Sequence, residues 1–148
     1  MLDIYKIQTR IEEMRRRVCL LEKDFKKIPE HKLITNENLY ASAERHLEVA
    51  IQACLDIANH IVAALGLERP KKEAGEAFLS LAKEKIISQD LAKTMKKVVG
   101  YRNILVHEYL EIERHQTYLN IQKGLKDLVK FAKKIEDFLE KFNSPSRA

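Results

Sequence analysis

The sequence predicts an all-α protein: an up-down bundle of four helices with one additional short helix. Apolar residues recur at steps of three and four along nearly the whole chain, which is the spacing of one helix face. Only 4 Gly and 3 Pro among 148 residues leave few points where helices can break. No stretch keeps the two-residue alternation of a half-buried strand, and no internal repeat or low-complexity tract interrupts the pattern.

The elements follow in order. Ile4, Ile7, Ile11, Met14, Val18, Leu21, Phe25 and Ile28 form a single stripe that Pro29 ends. The stripe predicts a long helix packed lengthwise on a neighbour. Matching stripes later in the chain argue against a free coiled coil. A second helix is expected from an N-cap at Asn36 to a stop at Gly66. It carries two stripes, Leu47–Ala50–Cys54–Ile57–Ile61 and Leu55–Ala58–Val62–Leu65. A helix apolar on two sides belongs at the centre of a bundle.

Residues 67–73, with Pro70, read as a linker, and a short helix is expected over 74–85 with Phe78, Leu79 and Leu81 facing inward. Ser88 is the expected cap of the next helix, whose first turn carries Asp90. The polar segment 111–117 reads as a loop. The last helix carries Ile121, Leu125, Leu128, Ala132, Ile135, Leu139 and Phe142, and residues 143–148 are expected to fray. The length suits one domain spanning 1–148.

With 27 Lys+Arg against 22 Asp+Glu the formal charge is +5 and the pI about 9.1. This mild excess favours acidic partners such as RNA, although a solvated lysine-rich helix surface accounts for much of it. Cys19 and Cys54 lack metal or redox spacing and read as reduced thiols of a cytoplasmic protein. The N-terminus carries no apolar signal core, and no run of 18 uncharged apolar residues suggests a membrane span.

The informative segment is Tyr101-Arg102-Asn103-Ile104-Leu105-Val106-His107-Glu108-Tyr109. Leu91, Met95, Val98, Arg102, Leu105 and Tyr109 form one stripe, so Arg102 stands where the period demands an apolar residue. Arginine is almost never buried without a partner. Arg102 and Tyr109 lie within about 20° of one another around the helix axis. Asn103 and His107, one turn apart, share an adjoining stripe. Arg102 and His107 diverge by roughly 140°. They can flank a ligand but cannot hold one atom between them without a second copy of the helix. Taken singly, each residue reads as structural: an arginine paired with a core carboxylate, a satisfied core histidine, an asparagine bonded to a loop. Together on adjoining stripes of a basic bundle they point to a site. Tyr101 either stacks on a base or packs in the core.

These residues resemble the Arg-x4-6-His motif of the HEPN superfamily, helical domains that include many metal-independent ribonucleases. The similarity is closer to the HepT-like toxins of toxin–antitoxin pairs, whose motif Arg-x4-His-x-Tyr is met by Arg102, His107 and Tyr109. It extends to LDIANHIVAALGLERP, EAFLSLAKEKIIS and VGYRNILVHEYLEI, covering about residues 40–140, whereas the first helix and KKIPEHKLIT add little. The family's acidic position after the tyrosine falls at Glu111 or Glu113.

The resemblance implies a HEPN-like bundle and an endoribonuclease toxin of a type VII-like system. It implies cleavage by attack of the ribose 2′-OH on the adjacent phosphorus, with no cofactor and no metal ligands. It implies that His107 takes the proton, with an unperturbed pKa of about 6.5 suited to the task. Arg102 then matches the charge growing on the phosphorane, and Asn103 orients a phosphate oxygen or the imidazole. It also implies a homodimer, an RNA substrate (tRNA for some relatives) and a cognate MNT-type nucleotidyltransferase antitoxin that transfers AMP to Tyr109. The alternative is a non-catalytic helical subunit that binds nucleotide or a partner in a nucleotidyltransferase complex. A purely structural adaptor requires Arg102 to be neutralised within the fold.

Other polar residues read as structural. His46 and His60 are about 21 Å apart along one helix and are no metal pair. His60 suits a cap at the C-terminus of its own helix. His31 and His115 are expected to be solvated near loops. Arg15, Arg16 and Arg17 read as a solvated helix face rather than an RNA contact.

Overall fold

A computed structural model of the chain describes residues 1–104 and 110–142, with side chains described for 1–101 and 113–142. Among the described residues every regular element is helical: α1 (Ile4–Leu20), α2 (Glu30–Thr35), α3 (Glu37–Ala64), α4 (Glu76–Lys83), α5 (Gln89–Ile104), α6 (Leu110–Leu119) and α7 (Leu125–Phe142). A wide π turn at Leu21–Phe25 follows α1, and a second at Asn120–Gly124 joins α6 to α7. The architecture is an all-α up-down bundle of four long rods: α1, α3, α5 and the α6–α7 rod. Two short helices accompany them rather than the one expected.

α1 starts because Asp3 accepts the Lys6 N–H at 3.0 Å, occupying a donor left free by the first turn. Its stripe is buried as expected: Ile7, Ile11, Met14 and Val18, then Leu21 and Phe25 in the π turn. α1 runs antiparallel to α3. Asp3 meets His60 at one end, Arg10 lies 3.5 Å from Asp56, and the Phe25 ring lies 5.8 Å from that of His46 at the other end. The unexpected α2 begins just after Pro29, whose fixed φ of −59° suits a helix entry, and it buries Leu33.

Asn36 caps α3 as expected, accepting the Leu39 N–H at 3.1 Å. Gly66 ends it in the left-handed region at φ +66°. Leu67 N–H then reaches Val62 C=O at 2.9 Å and Gly66 N–H reaches Ala63 C=O at 3.4 Å. This double closure is the glycine-terminated end that occupies otherwise orphaned carbonyls. α3 buries Ala43, Leu47, Ala50, Ile51, Cys54, Ala58, Ile61 and others on several sides. By length and composition it is apolar enough to cross a membrane. Its apolar faces are instead covered by α1, α4, α5 and α7, as befits a central core helix.

The linker after α3 is folded rather than slack. The Glu76 carboxylate accepts the backbone N–H groups of Lys71, Lys72 and Glu73 at 3.3, 3.2 and 2.8 Å. α4 then packs on α5 so closely that a Cβ at Gly75 would lie 2.8 Å from Lys96 Cγ and 3.1 Å from its Cα. Ser88 accepts the Leu91 N–H at 3.1 Å, the cap read from the sequence.

The segment 111–117, expected to be a loop, belongs to α6. The core-facing stripe of the last helix extends backward through Thr117 and Glu113, which are polar yet buried. Glu113, Thr117, Ile121 and Leu125 are spaced by three consecutive steps of four. An ideal helix would rotate such a series off its face by about 40° per step. The π turn at 120–124 absorbs that drift. The two π turns meet across the bundle, where the Gln122 amide donates to the Lys26 C=O at 2.7 Å.

Several surface residues are paired rather than merely solvated. Arg15 grips Glu136 with two bonds of 2.7 and 2.6 Å, and Glu13 accepts from Arg16 and Arg17 at 2.6 and 3.2 Å. Arg17 also donates to His46 Nδ1 at 3.0 Å, and burial with the adjacent arginines holds that imidazole below its ordinary pKa. His115, on α6, pairs with Glu30 of α2. His60 Nε2 accepts the Asp3 N–H at 2.9 Å. It therefore holds the residue that opens α1 rather than capping the end of its own helix. Both cysteines are free, Cys19 exposed and Cys54 buried.

Candidate active site

The motif begins on the last turn of α5. Positions 102 and 103 lie within that helix, in phase with Leu91, Met95 and Val98 for position 102. Their side chains, together with all of His107 and Tyr109, lie outside the described residues, as does the side chain of Glu111. The structure does describe both flanks of the segment and what holds them.

Tyr101 is core, not a base-stacking surface: it is 3% exposed. Its position on α5 turns the ring toward α3 and α6, and its hydroxyl meets that of Thr117. Thr117 also meets the Tyr40 hydroxyl at 3.0 Å and donates to the Glu113 C=O at 3.0 Å. With that proton assigned, both tyrosines donate to the threonine oxygen. Tyr40 lies 3.4 Å from Glu113 Oε1 as well. One buried threonine in the last turn of α6 thus joins that helix to the start of α3 and the end of α5. Buried hydroxyls persist only when partnered, and here each completes the others.

The charges around this network are asymmetric. Burial pushes both phenols well above the usual tyrosine range. Burial and, second, the adjoining carboxyl of Glu44 push Glu113 above the usual carboxylate range. Arg114, the neighbour of Glu113 on α6, turns outward. It donates to Ile34 C=O at 2.6 Å, pairs with Glu37 at 3.0 Å, and stacks 4.3 Å from the centre of the Tyr40 ring. That stacked cation ties α6 to the α2–α3 corner. Sequence reasoning assigned neither Tyr40 nor Thr117. The signal available was two polar residues, Glu113 and Thr117, one turn apart in phase with an apolar stripe.

Below the network a groove of about 280 Å³ runs between α5 and the π turn of the α6–α7 rod. Among the described residues no cluster of His, Cys, Asp or Glu could hold a metal ion.

A family model described as ribonuclease HepT-like matches residues 7–135. The chain belongs to that family. A tRNA nuclease HepT of Aphanizomenon flos-aquae is 32% identical over 133 residues, 90% of this chain and 89% of that protein. An mRNA nuclease HepT of Shewanella oneidensis is 37% identical over 86 residues, 58% of this chain and 64% of that one. The fold matches a solved toxin–antitoxin structure with AMP-PNP at a TM-score of 0.79 and 29% identity, covering 89% of this chain and 98% of the other. It matches a tri-AMPylated Shewanella oneidensis HEPN toxin in complex with MNT antitoxin at a TM-score of 0.78, again 29% identical, covering 89% and 97%. HepT-like membership and the HEPN fold are what the motif implied.

Proposed function

We propose that this protein is a metal-independent endoribonuclease, the toxin of a toxin–antitoxin pair. The observation that carries the reading is the sequence motif Arg102-x4-His107-x-Tyr109, which begins on the last turn of α5, within a match to HepT-like ribonucleases that spans 7–135.

In the proposed reaction the 2′-oxygen attacks phosphorus and its proton passes to His107. The bond from phosphorus to the 5′-oxygen breaks, and the leaving oxygen takes up a proton. The products are a 2′,3′-cyclic phosphate and a 5′-hydroxyl. Arg102 neutralises the charge that builds on the non-bridging oxygens, and Asn103 holds one of them in place. On an ideal helix the spacing of Arg102 and His107 sets them about 140° apart, and two copies of the chain complete the site. Two chains of +5 carry about +10 in all, a field that attracts RNA. Tyr109 is the acceptor of AMP from a nucleotidyltransferase antitoxin. The added phosphate competes for Arg102 and its bulk closes the cleft. The protein acts in the cytoplasm as a single domain.

The test is cleavage of RNA in the presence of chelator by wild type, His107→Ala and Arg102→Ala. Each variant is expected to lose about 10²-fold or more in rate, the scale of general acid–base and charge stabilisation, and the matching DNA strand should stay intact. Equal cleavage by wild type and His107→Ala would remove the catalytic assignment. Absence of cleavage by all three, with tight nucleotide or antitoxin binding, would favour a non-catalytic binding subunit.

A further inference from the structure

We propose that the groove between α5 and the α6–α7 rod is the subsite for the nucleotide next to the scissile phosphate, with Lys97 and Lys123 as its phosphate contacts and Asn120 as its polar anchor. The proposal rests on the ribonuclease reading and adds a substrate path to it.

The groove is lined by Thr94, Lys97 and Val98 of α5 and, opposite them, by Gln116, Asn120 and Lys123, with Asp127 at its margin. Val98, which lines the groove, precedes Arg102 by four residues, an axial rise of about 6 Å and a turn of about 40° around the helix axis, so the groove adjoins the position of Arg102, whereas Lys97 stands about 140° around the axis from it. At about 280 Å³ the groove sits at the lower limit of small-ligand sites, room for one nucleotide unit and no more.

Three features suit it to RNA. Neither Lys97 nor Lys123 is in an ion pair among the described residues, although Lys96 beside the former is held by Glu73 at 3.3 Å. Asn120 keeps its Oδ1 on the Gln116 amide at 3.2 Å, while its buried Nδ2 donor has no partner among the described residues. An unpaired buried donor is costly and is satisfied by an acceptor entering the groove, such as a ribose, a phosphate or a base carbonyl. Asn120 also opens the π turn, and such single-turn widenings re-aim side chains and recur at functional sites. Asp127, one turn beyond Lys123 yet not ion-paired with it, disfavours phosphate at that margin. Phosphate is therefore directed toward the two lysines.

The probe is a fluorescein-labelled single-stranded RNA carrying 2′-O-methyl groups throughout, which has no nucleophile and cannot be cleaved by 2′-OH attack. Binding is titrated at several salt concentrations for wild type, Lys97→Ala, Lys123→Ala and Asn120→Ala, with sedimentation of each. Each lysine variant is expected to weaken binding several-fold and to reduce the log–log salt slope by about one. Asn120→Ala should weaken binding with the slope unchanged. Both lysines are exposed, so the fold should survive, and Lys97→Gln and Lys123→Gln should repeat the result. Wild-type-like binding by the lysine variants, no binding by wild type at low salt, or a changed oligomeric state with unchanged affinity would each overturn the proposal. Cleavage of unmodified RNA, run alongside, separates the claims. Cleavage with indifferent lysines removes the groove and leaves the nuclease. Lysine-dependent binding without cleavage removes the nuclease and leaves the groove.

Discussion

The hydroxyls of Tyr101 and Thr117 meet in the core, and between those two residues lies the whole of the motif. The contact closes a hairpin whose arms are the last turns of α5 and α6 itself. Tyr40 adds a third arm from α3 through the same threonine oxygen at 3.0 Å. The segment that carries the proposed chemistry is thus held from both ends by one small buried side chain.

Thr117→Val keeps the shape of that side chain and removes its oxygen. The Tyr101 hydroxyl then loses its acceptor, and Tyr40 keeps only the longer contact to Glu113 at 3.4 Å. We expect a loss of roughly 1–3 kcal/mol, read as a fall of several degrees in Tm for a chain of this size. The triple variant Thr117→Val/Tyr40→Phe/Tyr101→Phe should recover most of it, because no orphaned hydroxyl remains. An unchanged Tm for Thr117→Val would show that the network contributes little.

Glu113→Gln should stabilise the protein at neutral pH by roughly 0.5–1 kcal/mol, about the worth of one hydrogen bond. A carboxyl whose folded pKa is raised favours the native state while protonated and loses that contribution as pH rises through the folded value. Below about pH 4.5, the ordinary value, wild-type Glu113 is protonated whether folded or not. The advantage of the amide should therefore vanish there and grow as the pH rises. Denaturant titrations across that range check the sign.

Gly75→Ala should destabilise by about 1–3 kcal/mol, the cost of overpacking a closed contact. The new methyl would press on the Lys96 backbone as well as on its flexible side chain. Lys96→Ala would relieve only the side-chain half of the clash, so the double variant should stay below wild type in a thermal melt.

Tyr109→Phe should keep RNA cleavage near wild type and abolish AMP incorporation when the chain is incubated with a cognate nucleotidyltransferase and ATP. Intact-mass spectrometry reads both forms. Continued incorporation at wild-type level would place the acceptor elsewhere.

Most of the bundle was legible in the sequence because helix phase is a local property. Asn36 and Ser88 cap where expected, and Gly66 stops α3 where its φ of +66° requires glycine or a tolerated substitute. What escaped was set by distant partners. Residues 111–117 read as a loop because Glu113 and Thr117 are polar, yet the segment is helical, and those two side chains are buried because Tyr40 and Tyr101 supply their hydrogen bonds. Tyr101 could stack or pack on pattern alone, and only the position of Thr117 decides for packing. The short α2 was hidden because a six-residue helix shows too few repeats to reveal a period. Of the candidate site, the family was legible. The flanking network and the groove depend on how α5 meets α6, which no local pattern encodes.

The three consecutive arginines of α1 have one more implication. Arg15, Arg16 and Arg17 share two carboxylates, Glu136 and Glu13, which offset most of their positive potential where they stand. Lys93, Lys97, Lys126, Lys130 and Lys134 have no such match among the described residues and all lie on α5 and α7. These five cations make the α5–α7 side one of the faces toward which a diffusing polyanion is drawn before any contact forms.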